Sequence, residues 1–198
     1  MRITSGEFRG RNLLVPKGDE VRPTQDRVRE ALFSMLGSLV EGANFLDLFA
    51  GSGAVGLEAL SRGARLATFV ELSPRHVACL EKNIANLKAE ARTRVVRADV
   101  YAYLSTLSNL SPTPSGSLPS TANAYDLVFA DPPYALGAEK GYADVLKVLV
   151  EKNVVVPGGY FVTEMRYRQD PESSPAWELC RDRTYGQTRL AVYRRLGA

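Results

Sequence analysis

From Phe45 onward the chain alternates between short apolar runs and stretches in which apolar residues recur every three to four positions. The first pattern predicts buried strands and the second amphipathic helices. The predicted strands are Phe45–Phe49, Leu66–Glu71, Arg94–Ala98, Tyr125–Ala130 and Tyr160–Met165. A helix is predicted over Val55–Arg62. The next one is capped by Ser73, has Pro74 at its first position, and carries the stripe Val77, Leu80, Ile84 and Leu87. A short helix ends near Leu107, and another covers roughly Glu139 to Lys152. Pro157-Gly158-Gly159 predicts a turn into the fifth strand. Trp177–Arg183 and Arg189–Arg194, flanking Tyr185-Gly186, predict a closing antiparallel hairpin.

Upstream of Phe45 the pattern is different. Residues 3–15 alternate weakly around Arg9-Gly10-Arg11 and predict a short hairpin or arm. Pro23 and Thr24 open a helix with Thr24 as its N-cap. Its stripe is Val28, Leu32, Met35 and Leu39, joined by Ala31 and Leu36, with Arg27, Arg29 and Glu30 off the stripe. Residues 108–124 are rich in Ser, Pro, Thr and Asn and predict a flexible surface insertion.

Strands that alternate with helices imply a mostly parallel sheet covered on both faces. The expectation is an α/β, Rossmann-like fold of seven strands with an antiparallel C-terminal hairpin. Residues 1–22 would form a small basic arm and residues 23–198 one domain. Ligands of such sheets bind beyond the C-terminal ends of the strands.

Composition adds limits. Apolar residues make up 45% and charged ones 24%, as in a globular protein. No stretch is long enough to span a bilayer, and no signal-peptide core opens the chain. Cys79 and Cys180 are isolated and read as reduced, buried or half-buried thiols, so a cytoplasmic location is expected. The net charge of +3 is mild, but its distribution is uneven. Arg2, Arg9, Arg11, Arg22, Arg27 and Arg29 lie near one end, and Arg181, Arg183, Arg189, Arg194 and Arg195 near the other. Clustered arginines suit phosphates, and solvated surface charge is the plainer alternative.

The residues able to do chemistry fall at the predicted strand ends. Asp131-Pro132-Pro133-Tyr134 follows the fourth strand. Two prolines stiffen the turn and leave carbonyls free to accept hydrogen bonds. An acid, rigid carbonyls and an aromatic ring fit a planar group bearing an amine, such as a nucleobase. Gly51-x-Gly53-x-x-Gly56 follows the first strand and formally matches a dinucleotide fingerprint. Asp47, at the mouth of that strand, is a poor neighbour for a diphosphate. It suits the ammonium and sulfonium of S-adenosylmethionine. Glu71 ends the second strand, where it could accept ribose hydroxyls, and Asp99 ends the third, where it could accept an adenine amine. Phe49, Ala50 and Ser52 in the glycine loop, with Leu72 and Val100 beside two of the acids, complete the expected cofactor set.

With these strings the chain resembles the class I S-adenosylmethionine-dependent methyltransferases. More closely, it resembles the bacterial RsmD-type 16S rRNA guanine-N2 methyltransferases. The specific part is N-terminal: Ile3-Thr4-Ser5-Gly6, Arg9-Gly10-Arg11, Arg22-Pro23-Thr24 and Asp26-Arg27-Val28-Arg29-Glu30. Asp47-Leu48-Phe49-Ala50-Gly51-Ser52-Gly53, Gly56-Leu57-Glu58-Ala59, Ser61-Arg62-Gly63-Ala64, Asp131-Pro132-Pro133-Tyr134 and Tyr185-Gly186 complete it. The insertion at 108–124 and Leu72-Ser73 after Glu71 depart from the family pattern.

The resemblance implies methyl transfer to a guanine N2 amine of ribosomal RNA, in a small-subunit particle or an assembly intermediate. Asp131, Pro132, Pro133 and Tyr134 would act on the base, and Arg2, Arg9, Arg11, Arg22, Arg27 and Arg29 would grip phosphates. Neither a metal nor a membrane is expected, and a monomer is the default. Three alternatives stay open: an amino-methyltransferase acting on adenine or DNA, a nicotinamide-dependent oxidoreductase, and a non-catalytic RNA-binding assembly factor. His76 and Trp177 are read as capping or surface, and as packing, respectively.

Overall fold

A computed structural model describes residues 1–16, 23–107, 124–132 and 142–197. Seven strands form one sheet in the order β3-β2-β1-β4-β5-β7-β6. The five parallel strands are β1 (Asn44–Leu48), β2 (Leu66–Glu71), β3 (Thr93–Arg97), β4 (Tyr125–Ala130) and β5 (Val155–Arg166). The hairpin of β6 (Trp177–Tyr185) and β7 (Thr188–Arg195) adds antiparallel through β7 to β5. The helices are α1 (Pro23–Leu36), α2 (Ala54–Ser61), α3 (Pro74–Leu87), α4 (Val100–Thr106) and α5 (Tyr142–Glu151).

Strand periodicity decides what each face buries. Phe45, Phe69, Leu127, Phe129 and Val162 point to one face, where they meet Leu32 and Phe33 of α1, Leu57 and Leu60 of α2, and Leu80 and Ile84 of α3. The alternate residues Leu46, Val70, Val128 and Phe161 point to the other face, against Leu104 of α4 and Leu146 and Leu149 of α5. Trp177 packs there against the Phe161 ring, and its indole N–H donates to the Leu146 carbonyl at 3.0 Å. Ser73 caps α3 as expected, accepting the His76 amide at 3.4 Å.

The structure departs from expectation in three places. Thr24 lies inside α1 rather than at its cap. Pro157-Gly158-Gly159 sits within β5 as an irregularity: β5 advances from Val155 to Tyr160 while β4 advances from Tyr125 to Leu127. Cys180 is exposed, and Cys79 is buried. Residues 1–16 form a strap folded onto the domain and closed on itself by an isolated antiparallel bridge between Arg2 and Asn12. Ile3, Phe8 and Leu13 of the strap enter the core of the first face. The insertion lies outside the described residues except for Ala124.

The buried Glu58 carboxylate of α2 fastens the strap. It accepts the Thr4 amide at 2.9 Å, the Thr4 hydroxyl at 2.7 Å and the Ser5 amide at 3.0 Å. Two guanidinium groups, Arg62 at 2.8 Å and Arg29 at 3.3 Å, balance its charge.

Candidate active site

Four neighbouring strands bring an acid to the C-terminal edge of the sheet: Glu71 on β2, Asp47 on β1, Asp131 just after β4 and Glu164 on β5. By strand alternation all four side chains share the face of Phe45, Phe69, Phe129 and Val162. Crowding and loss of hydration disfavour charge on Asp47, Asp131 and Glu164. Asp47 is 1% exposed, and burial first, then the nearby Glu71 charge, pushes its carboxyl up to about 7 against the pull of the Gly56 amide. Asp131 opens to solvent on one side while protein surrounds the rest. Lost hydration, then Glu164 and Asp47, raise its carboxyl well above the usual range. Burial raises Glu164 as well, opposed by a hydrogen bond from Thr188.

The loop after β1 is held from below by two of these acids. Asp47 accepts the Gly56 amide at 2.9 Å, which ties the strand end to the first turn of α2. Glu71 accepts the Gly51 amide at 2.8 Å and the Ser73 amide at 2.7 Å. Gly51 and Gly53 have φ of 56° and 82°, the left-handed region that glycine adopts without strain. Phe49, at φ 65°, takes the same region without that freedom. The Ala50 amide donates to the Val70 carbonyl at 3.0 Å, and the Ser52 carbonyl accepts from Asn83 at 3.0 Å. On the outer side of the loop, a Cβ at Gly51 would meet nothing within 4 Å.

That open side is a cradle, and the residues around it fit S-adenosylmethionine. Leu72, 62% exposed, offers an apolar platform beside Glu71. Asp99 caps α4, accepting the Ala102 amide at 3.0 Å, and remains exposed. Val100 follows at the first helical position, where an amide has no intrahelical acceptor. The crowded acids favour a cationic ligand over a diphosphate. Asp47 lies beneath the loop and not on its surface, so its charge would act on a ligand from below. Pro132 is half-buried beside Asp131. Pro133 and Tyr134 lie outside the described residues.

Glu164 was missed from sequence, although it too is the acid near the end of a predicted strand. So was Tyr142 of α5, whose hydroxyl donates to the Glu164 carbonyl at 2.5 Å. Burial raises that hydroxyl above its usual range.

The arginines divide. Arg2, Arg9, Arg11 and Arg27 are exposed, and Arg22 lies outside the described residues. Arg29 corrects the sequence reading: it is 4% exposed and donates to Glu58, Asp26 and the Arg2 carbonyl. It faces inward because it shares the buried side of α1 with Phe33 and Leu36. Arg11 donates to the carbonyl of Asn86, near the end of α3. Since α3 starts beside Glu71, Arg11 sits a helix length, roughly 20 Å, from the cradle. Near the other end of the chain, Arg189 is paired with Asp182 at 2.7 Å and Asp170 at 3.0 Å, and Arg195 is buried against Asn153.

Residues 1–194 match the family model described as "Conserved hypothetical protein 95". The chain belongs to this family, the RsmD family. Over 196 residues it is 36% identical to the ribosomal RNA small subunit methyltransferase D of Escherichia coli K12, covering 98% of this chain and 90% of that protein. The Haemophilus influenzae protein of the same name is 32% identical over 193 residues, covering 98% and 93%. Among solved structures, yhhF of Escherichia coli superposes with a TM-score of 0.82 at 34% identity, covering 100% of this chain and 99% of that one. Among the described residues, no helix is long and apolar enough to cross a membrane, and no cluster of three or more His, Cys, Asp or Glu could hold a metal.

Proposed function

We propose that this RsmD-family chain transfers a methyl group from S-adenosylmethionine to the exocyclic N2 amine of a guanine in small-subunit ribosomal RNA. The observation that carries the reading is the pairing of the glycine cradle with Asp131-Pro132 at adjoining strand ends, in a chain so similar to small-subunit rRNA methyltransferases. The bound cofactor supplies an electrophilic methyl on a sulfonium. Asp47, Phe49, Ala50, Gly51, Ser52, Gly53, Glu71, Leu72, Asp99 and Val100 would hold it.

An exocyclic guanine nitrogen is a weak nucleophile because its lone pair is delocalised into the ring. The Asp131 carboxylate and the Pro132 carbonyl accept its two N–H bonds, which directs the lone pair at the methyl and favours a pyramidal nitrogen. As the N–C bond formed and the sulfur–methyl bond broke, leaving the neutral thioether S-adenosylhomocysteine, positive charge would grow on the nitrogen, and Asp131 would stabilise it and take the proton afterwards. Positioning and electrostatics supply most of the rate. Tyr134 stacks on a base turned out of its stack. The exposed arginines contact phosphates, giving affinity more than sequence choice. The substrate is a folded RNA in a small-subunit particle or an assembly intermediate.

The test is a nucleoside digest of small subunits lacking native methylation after incubation with labelled S-adenosylmethionine. Label in N2-methylguanosine supports the reading. Label in N6-methyladenosine moves the substrate, and no label overturns the catalytic reading.

A further inference from the structure

A second carboxyl, that of Glu164, lies beside Asp131. Strands β4 and β5 pair in parallel with Phe129 opposite Val162 and Ala130 opposite Thr163, so the next residues on the two strands are Asp131 and Glu164. Adjacent strands lie about 4.8 Å apart. Phe129 and Val162 lie in the same core cluster, so two residues on, Asp131 and Glu164 project to that same side.

Glu164 is also held in place. Tyr142 anchors its backbone carbonyl, and the Thr188 hydroxyl donates to one carboxylate oxygen at 3.4 Å. Among the described residues, Thr188 is the one hydrogen-bond partner of that carboxylate. The side chain is half-buried, so it is reachable from the site. The mechanism above uses Asp131 and Pro132 and leaves Glu164 unassigned.

The bases differ in what they offer at this edge. Guanine presents two kinds of donor side by side, the N2 amine and N1–H. Adenine presents an amine beside a bare N1, which is an acceptor. When ionised, a carboxylate accepts hydrogen bonds and cannot donate, and a donor such as N1–H beside Glu164 favours that ionised form against the effect of burial. We propose that Glu164 is the residue that selects guanine, its carboxylate accepting N1–H while Asp131 and Pro132 hold the N2 amine. The inference rests on the guanine-N2 reading. On an adenine the same carboxylate faces the N1 lone pair, and the buried acceptor is left without a partner. A site built to bond a donor discriminates strongly against an analogue that lacks it.

The experiment replaces the methylated guanine with 2-aminopurine, which keeps the N2 amine but has a bare N1, in reconstituted small-subunit particles. Wild type favours guanine by about 10- to 100-fold in kcat/KM, the scale of a hydrogen bond to a charged group. Glu164→Gln brings the ratio toward unity, because an amide can accept from N1–H or donate to a bare N1. Its affinity for S-adenosylmethionine stays at the wild-type value, which separates base selection from a general defect.

A wild type that methylates both bases equally well overturns the inference without any variant. So does a folded Glu164→Gln that keeps the wild-type ratio while losing rate. In both cases N2-methylguanosine is still made, so the guanine-N2 reading stands. Failure of wild type to make N2-methylguanosine overturns both.

Discussion

Glu71 accepts the amide of Gly51 at 2.8 Å, so the acid that ends β2 fixes the glycine loop that follows β1. Its other oxygen takes the Ser73 amide at the start of α3. One carboxylate thus sets the shape of the cradle from two sides. Glu71→Ala is expected to weaken S-adenosylmethionine binding by about 100-fold or more, the scale of one or two charge-assisted hydrogen bonds. Titration calorimetry measures it, and unchanged affinity would remove Glu71 from the cofactor site.

Gly51 of this loop and Gly56 in the first turn of α2 are expected to fail differently. A Cβ at Gly56 would lie 2.3 Å from the ring of Phe69, itself fully buried. Gly56→Ala should cost roughly 1–3 kcal/mol of stability in urea denaturation. A Cβ at Gly51 meets no atom within 4 Å and points into the cradle. Gly51→Ala should lose more cofactor affinity than stability, its folding cost limited to left-handed strain of about 1–2 kcal/mol. Unchanged cofactor affinity in Gly51→Ala would contradict this assignment.

Asp47 gives a pH dependence with a definite sign. Folded, it keeps its proton up to about pH 7, whereas the unfolded carboxyl loses it near 3.8. Between those values the folded state binds more protons, so the contribution is complete below 3.8 and lost as the pH rises through 7. Its size is at most about 4 kcal/mol. Asp47→Asn should flatten this part of the stability profile, so wild type exceeds the variant most at low pH. Parallel profiles for the two proteins would show that Asp47 does not titrate in this window.

The sheet was legible because its strands are short apolar runs ending in acids. Leu66–Glu71 and Tyr125–Ala130 have the predicted bounds. The irregularity at Pro157-Gly158-Gly159 was not, since turn residues read the same within a bulge as between elements. Arg29 was misplaced because a guanidinium on an apolar face is buried only when a tertiary partner awaits it, and Glu58 lies 29 residues away. Glu164 escaped notice for a related reason: what sets it apart is its neighbour Asp131 across the strands, and pairing is not visible in one chain's pattern.

Arg29 and Arg27 should therefore behave differently. Glu58→Ala leaves buried Arg29 with Asp26 as its one counter-charge among the described residues and releases the Thr4 and Ser5 amides. A loss of about 3–5 kcal/mol is expected in chemical denaturation. Arg29→Ala should likewise act on stability. Arg27→Ala should leave stability within about 0.5 kcal/mol. Instead it should reduce the slope of log affinity against log salt for the RNA substrate by about 1. A reversed outcome, with Arg29 setting the salt slope, would contradict the inward placement.

The central claim is that Asp131 orients the amine that receives the methyl. The most direct measurement is single-turnover methyl transfer to undermethylated small subunits, comparing wild type with Asp131→Ala at saturating S-adenosylmethionine. The account predicts a rate lower by at least about 100-fold, with cofactor affinity unchanged, the effect expected of a group that acts mainly in the transition state. An Asp131→Ala enzyme that makes N2-methylguanosine at close to the wild-type rate would contradict it.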